Sequence, residues 1–297
     1  MAWMSAEFDS PWVHQRKCGK LTGSIPVEST NRNPLWGFYV KIIHMIDLPK
    51  VLATGKWLPE QIDVVHSLSN RKINSDWEAK CEAEWLRKVE DAKITGKKAW
   101  DSVTYRLNDL KVENNRVHLD FGTIPFRIRN TFPSIVEGQE VEEECFPKGI
   151  FVAGLIQTTD DLFVFGKLSG KTLVKRKIDF IGGTLVKDEL IVNNGSDLII
   201  ALEAELLEEI NVSPEHVASY QLISIVLSDR FNVGLIYHVQ LKVSSETVLE
   251  SFQKANDQEM SDVVFVEKKD LYNFASDIPG FGKAVVQSLS QSQDLGL

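Results

Sequence analysis

Cysteine is scarce in this 297-residue chain, and Cys18, Cys81 and Cys145 are odd in number and widely spaced. That argues against a disulfide framework or a Cys-x-x-Cys metal site and leaves free thiols. No apolar run approaches the roughly eighteen residues of a membrane span, and an N-terminus carrying Glu7 and Asp9 lacks the apolar centre of a secretory signal. The expectation is a soluble protein of the cytoplasm with no membrane partner. Positive charge is also short: 33 Lys and Arg stand against 42 Asp and Glu, a net charge of −9. Nucleic acid is therefore not an expected partner, because its binding rests on Lys and Arg neutralising phosphates. A small phosphorylated substrate stays open, since bound cations can supply the local positive charge.

Several catalytic signatures are missing too. The histidines His14, His44, His66, His118, His216 and His238 show no His-Glu-x-x-His spacing, which removes the commonest zinc arrangement. There is no Gly-x-Ser-x-Gly elbow and no Cys with a locally evident His, so nucleophilic catalysis has little support. Gly166 to Thr172 nearly spells a phosphate-binding P-loop, but three residues separate its glycines where the pattern needs four, and strand follows where helix should.

What is present is a core, with 43% hydrophobic residues. Met1 to about Asn33 lacks periodicity and reads as a loosely ordered arm. A first strand is expected over Leu35 to Ile46 and a second over Gln61 to His66. Trp77, Cys81, Trp85 and Val89 recur at helical spacing between Asp76 and Lys93, giving a packing face. Val103 to Val112 and Val117 to Phe121 flank Glu113-Asn114-Asn115-Arg116, a hairpin turn. These elements suggest a small α+β lobe over residues 34–147, closing at the acidic run Glu140 to Glu144 and Pro147, with the boundary near Lys148.

Residues 148–297 read as a second domain. Ile150 to Gln157 and Leu162 to Leu168 form a hairpin about Thr158 to Asp161, and Leu173 to Ile181 continues the sheet to Gly182-Gly183. A loop containing Asn193-Asn194-Gly195 leads into a helix over Asp197 to Ile210, and Ser213-Pro214 opens a short turn. Strands at Gln221 to Leu227, Val233 to Val243 and Val263 to Val266, a helix near Glu246 to Lys254 and a closing helix complete an α+β pattern of mixed sheet with helices on its faces.

The chemistry concentrates on one helix. Glu205, Glu208 and Glu209 fall at i, i+3 and i+4, which places three carboxylates on one face while Leu202, Leu206 and Ile210 form the packing face. Such carboxylates repel one another unless a hard cation such as Mg²⁺ neutralises them. Spacing alone fits a solvated acidic face better than a metal site, and it is the context of the helix that favours the metal. Gly182-Gly183 ahead of the helix lets loop backbone and carboxylates converge at one end of the sheet.

The segment Gly183 to Val212 resembles the Nudix box, Gly, five residues, Glu, seven residues, Arg-Glu-U-x-Glu-Glu-x-Gly-U with U bulky aliphatic, and Ala204 to Val212 matches its second half. Ala204 stands where the pattern has Arg, Ser196 after Gly195 where it has Glu, and Asn211 where it has its final Gly; the loop is lengthened around Val186 to Val192. Gly149 to Ser169 and Val263 to Phe274 look like the opening hairpin and closing strand and helix of a Nudix α/β/α sandwich. Trp100 to Leu110 and His118-Leu119-Asp120-Phe121-Gly122 look like the N-terminal lobe of a subgroup that includes UDP-sugar pyrophosphatases, which also lacks the box Arg.

The resemblance implies hydrolysis of a nucleoside diphosphate linked to another moiety, with Mg²⁺ or Mn²⁺ held by Glu205, Glu208 and Glu209 and a UDP-sugar as the first candidate substrate. ADP-ribose, a dinucleotide, or a silent nucleotide-sensing module are the alternatives. Gly182, Gly183, Lys167, Lys175 and Glu259 are the candidate substrate contacts, with Lys171, Arg176 and Lys177 in the same basic cluster. Leu168 occupies a place where the family often has Arg.

Overall fold

The computed structural model describes residues 47–96, 99–169, 177–255 and 259–291. The expected arm, the expected strand over Leu35 to Ile46, and Lys171, Lys175 and Arg176 lie outside the described residues. Along the chain come β1 (Lys50–Trp57), β2 (Ile62–His66), α1 (Ser75–Thr95), β3 (Val103–Glu113), β4 (Arg116–Pro125) and α2 (Phe126–Ile135). Then follow β5 (Ile150–Gln157), β6 (Leu162–Leu168), β7 (Ile178–Asp179), β8 (Ile181–Thr184) and α3 (Gly195–Ile210). The remainder is β9 (Val217–Leu227), β10 (Val233–Leu241), α4 (Ser245–Phe252), β11 (Met260–Glu267), α5 (Leu271–Phe274) and α6 (Gly280–Gln291).

The fold is α+β with two sheets. The larger has eight strands in the order β1-β9-β10-β5-β6-β11, with β7 on β6 and β8 on β5. It is mixed, because β10 and β5 run parallel while the other pairs are antiparallel. The smaller sheet, β2-β4-β3, is also mixed. In β4 strict alternation explains the strand: Val117, Leu119 and Phe121 are buried while His118 and Asp120 are partly exposed. Asn114 and Asn115 both take positive φ, 50° and 56°, as a two-residue hairpin turn requires.

Two elements escape the sequence pattern. β1 pairs with β9 in the large sheet although it precedes the expected boundary at Lys148, and its apolar positions are too few for a strand signal. α2 is short and contains Pro133, and its apolar period is limited to Ile128, Phe132 and Ile135. It forms because Phe126 stacks on Trp100 at 4.0 Å and Phe132 meets Trp77 edge-on at 5.8 Å. The expected face of α1 is thus used, with Cys81, Trp85 and Ala92 buried.

The large sheet is covered on both faces. One apolar cluster contains Leu198, Leu202, Leu206 and Ile210 of α3 and continues without a break into Leu119, Phe121 and Phe132 of the small-sheet region. The other lies under α5 and α6, around Phe163, Phe165, Phe180 and Phe281. Strand β5 has apolar residues facing both, which is why it reads as a continuous apolar run. No helix among the described residues is long and apolar enough to cross a membrane.

Candidate active site

Helix α3 is tightly specified at both ends. Asn194 accepts from the Ser196 and Asp197 amides at 2.8 and 3.3 Å, and Asp197 accepts from Asn193 and Asn194 at 2.7 and 3.2 Å. This reciprocal cap satisfies donors that a helix start otherwise leaves open. Asn211 closes the helix in the left-handed conformation, φ 52°. Glycine is the usual residue there and asparagine the next best, so Asn211 performs the role of the Gly that the box pattern would place at this position.

The helix lies with Glu205 and Glu209 against β8. Glu209 is buried, at 5% exposure, and its Oε2 accepts a hydrogen bond from the Gly182 amide at 3.0 Å. Glu205 lies directly on Gly183, where a Cβ would stand 1.9 Å from Oε1. Gly182 has φ +152°, and a Cβ there would stand 2.2 Å from the Val152 carbonyl oxygen. Both glycines are therefore required by geometry: one adopts a backbone that L side chains rarely take, the other leaves room for a carboxylate.

The electrostatics of this corner are unfavourable. Burial pushes the Glu209 carboxyl well above the ordinary carboxylate range, Glu205 pushes it the same way, the Gly182 N–H bond opposes, and Glu259 and Asp179 add to the rise. Of these acids only Glu209 is buried, with Glu205 and Asp179 half-buried and Glu259 exposed, and a buried carboxylate next to other acids is a natural ligand for a cation.

Of the expected site residues, Glu205, Glu209, Gly182 and Gly183 come together, and Glu259 is close enough to act on Glu209. Glu208 is exposed on the next part of the same helix. Lys167 is not brought to the glutamates. It pairs with Ile178 across β6 and β7, whereas Gly166 pairs with Asp179. Strand alternation puts Lys167 on the face of Phe163 and Phe165, under α5 and α6, and Gly166 and Asp179 on the face of α3. A surface strand of one parity can serve only one cleft, and Lys167 has the wrong parity. Lys177 is exposed. Asp179 is the acid that sequence reading missed; it reaches the corner through the pairing of β7 with β6, which the local pattern does not encode.

Among the described residues no three His, Cys, Asp or Glu side chains are grouped to hold a metal ion by themselves. The donors present are nevertheless hard oxygens around a disfavoured charge, which suits Mg²⁺. That ion commonly takes one or two carboxylates and fills its remaining positions with water and substrate phosphate.

The lengthened loop also finds its explanation here. Leu185 accepts from the Tyr105 amide at 3.0 Å, Lys187 donates to the Val103 carbonyl at 2.9 Å, and Thr104 bridges to Val186. The loop thus lies along β3.

No protein-family model matches this chain, and no curated protein does. Among solved structures it is similar to the MutT protein from Methanosarcina mazei, at 13% identity over 52% of this chain and 99% of that one, TM-score 0.36. A Nudix hydrolase from Nitrosomonas europaea is similar at 12% identity over 48% and 88%, TM-score 0.32. At such scores the reading of the site rests on its own geometry.

Proposed function

We propose that this chain is a Nudix-type pyrophosphohydrolase that cleaves a nucleoside diphosphate linked to another moiety, in the presence of Mg²⁺ or Mn²⁺. The observation that carries the reading is the buried Glu209, fixed by the Gly182 amide and crowded by Glu205. A carboxylate held in that position disfavours the apo protein, and a cation bound by Glu205 and Glu209, with Glu208 at the rim, relieves it.

When bound, the metal would neutralise the diphosphate and favour charge developing on the leaving oxygen. The residues do the rest. The Gly182 amide orients Glu209, and the bare Cα of Gly183 lets Glu205 reach the strand. Water attacks one phosphorus, a P–O bond forms, and the bridging P–O bond breaks. One carboxylate of the cluster takes the water proton. For a UDP-sugar, the substrate this reading favours, the products are UMP and a sugar 1-phosphate. The partner is a small molecule rather than nucleic acid or membrane. A cytoplasmic location belongs to the same reading and agrees with Cys81 and Cys145 as free buried thiols.

A second reading, a nucleotide-sensing module without turnover, is favoured by the exposed Ala204 in place of the box Arg. Release of nucleoside monophosphate from UDP-sugars, ADP-ribose and dinucleotides, with Mg²⁺, Mn²⁺ or chelator, decides between them. The expected outcome is metal-dependent turnover of one substrate class, lowered about a hundredfold by Glu209→Gln. Nucleotide binding by calorimetry with no turnover of any class would establish the sensor.

A further inference from the structure

Between β8 and α3 the chain runs from Leu185 to Asn194 with only one turn of its own, in which the Glu189 and Leu190 amides bond to the Val186 carbonyl at 3.3 and 3.2 Å. Most of its other buried polar groups need partners elsewhere, and Tyr105 of β3 supplies three of them. Its amide donates to Leu185 O at 3.0 Å, its hydroxyl donates to Leu190 O at 3.2 Å, and the same hydroxyl accepts from the Val192 amide at 3.3 Å. His66 Nε2 donates to Val192 O at 2.6 Å. The Tyr105 ring is buried and wedged between His66 and Phe121, with centroids at 5.7 and 5.6 Å. It cannot swing away from the loop without opening the core.

Two further contacts follow in register. Asn194, the helix cap, bridges to Asp63 of β2, and Gly195 lies so close to the Pro59 carbonyl oxygen that a Cβ would stand 2.2 Å from it. The first turn of α3 is thus seated on the segment from Pro59 to His66, and the loop that feeds it is fastened by a phenol. The carboxylates of Glu205 and Glu209 are carried by that helix.

We propose that Tyr105 is a positioning residue for the glutamate helix, its hydroxyl clamping Leu190 and Val192 so that Glu205 and Glu209 are set against Gly183 and Gly182. This rests on the metal-dependent function proposed above. It makes Tyr105 of the small sheet part of the catalytic apparatus through the helix that it positions.

Tyr105→Phe in the full chain keeps the ring and removes only the hydroxyl. Three quantities test it: hydrogen exchange of the Val192 amide, Mn²⁺ affinity by electron paramagnetic resonance, and kcat and KM separately. Loss of one hydrogen bond worth about 1 kcal/mol should speed Val192 exchange roughly fivefold. Mn²⁺ should bind about three- to tenfold more weakly and kcat should fall by a similar factor, with KM within about twofold of wild type. Val112→Ala, at the exposed far end of β3, should change none of these. Faster exchange with unchanged Mn²⁺ affinity and kcat would overturn the inference, as would unchanged exchange. A wild-type chain that binds no Mn²⁺ overturns the function itself, and the inference with it, which separates the two failures. Should Tyr105→Phe not fold, His66→Ala at an exposed position removes the bond to the Val192 carbonyl, beside the Val192 amide that Tyr105 holds, and faster Val192 exchange with unchanged Mn²⁺ affinity and kcat would overturn the inference.

Discussion

Two regions of the molecule bury charge, and they do so differently. In the region of the small sheet the buried charges are arginines. Arg106 donates to the Pro147 carbonyl at 3.2 Å and to Asn70 and Asn108 at 2.8 and 2.5 Å. Arg129 donates to Asn232 at 3.0 Å and to the Ile150 carbonyl at 3.2 Å, in a seat left open by Gly149. Each guanidinium spreads its charge over several neutral acceptors and ties distant segments together. On the α3 face of the large sheet the buried charge is Glu209, with one backbone donor and other carboxylates acting on it. Arginines of this kind pin a structure. A carboxylate of this kind is disfavoured by the structure that holds it, which makes it the candidate for a functional group.

The largest break in this comparison is at the glycines. Gly182→Ala forces both a rare backbone conformation and a collision with the Val152 carbonyl, and should cost about 3 kcal/mol or more in urea unfolding. Gly149→Ala meets the flexible Arg129 side chain at 2.4 Å instead, so a smaller loss of about 1–2 kcal/mol is expected. Equal losses would mean that the two seats are of one kind.

Glu209→Gln sharpens the contrast further. A carboxyl raised in the folded state contributes stability that is fully present below the ordinary value of 4.5 and is lost as pH rises through the folded value. In chelator, wild type should therefore lose stability as pH rises above 4.5, and the glutamine variant, whose carbonyl can still accept from Gly182, should lose less and unfold at higher urea at pH 8. Activity should fall about a hundredfold in the same variant. A variant less stable than wild type at pH 8 would make Glu209 a structural group. The smallest effect belongs to the helix end. Asn211→Gly should change stability by less than about 0.5 kcal/mol, and Asn211→Ala should cost about 1 kcal/mol in thermal unfolding, because alanine has neither glycine's freedom nor asparagine's tolerance of positive φ.

Much of this was legible in the residues. The faces of α1 and α3, the alternation of β4, the paired asparagines of its turn and the helix glutamates follow from local rules, because period, capping and φ preference are properties of short segments. Other features were not. α2 depends on aromatic rings that arrive from Trp77 and Trp100, and β1 depends on finding β9. Lys167 was placed at the site by its nearness in sequence to the box, and the strand's parity turned it to the opposite face.

By itself the sequence determined the α+β character, the acidic helix and the glycines ahead of it, since each is encoded within a few residues. Tertiary structure alone decided that Glu209 is buried while Glu208 is not, that Asp179 joins the acidic corner and Lys167 does not, and that the long loop is held by Tyr105. Those outcomes turn on which surfaces meet across the sheet, and burial and pairing between segments far apart in the chain leave no trace in the local pattern of either one.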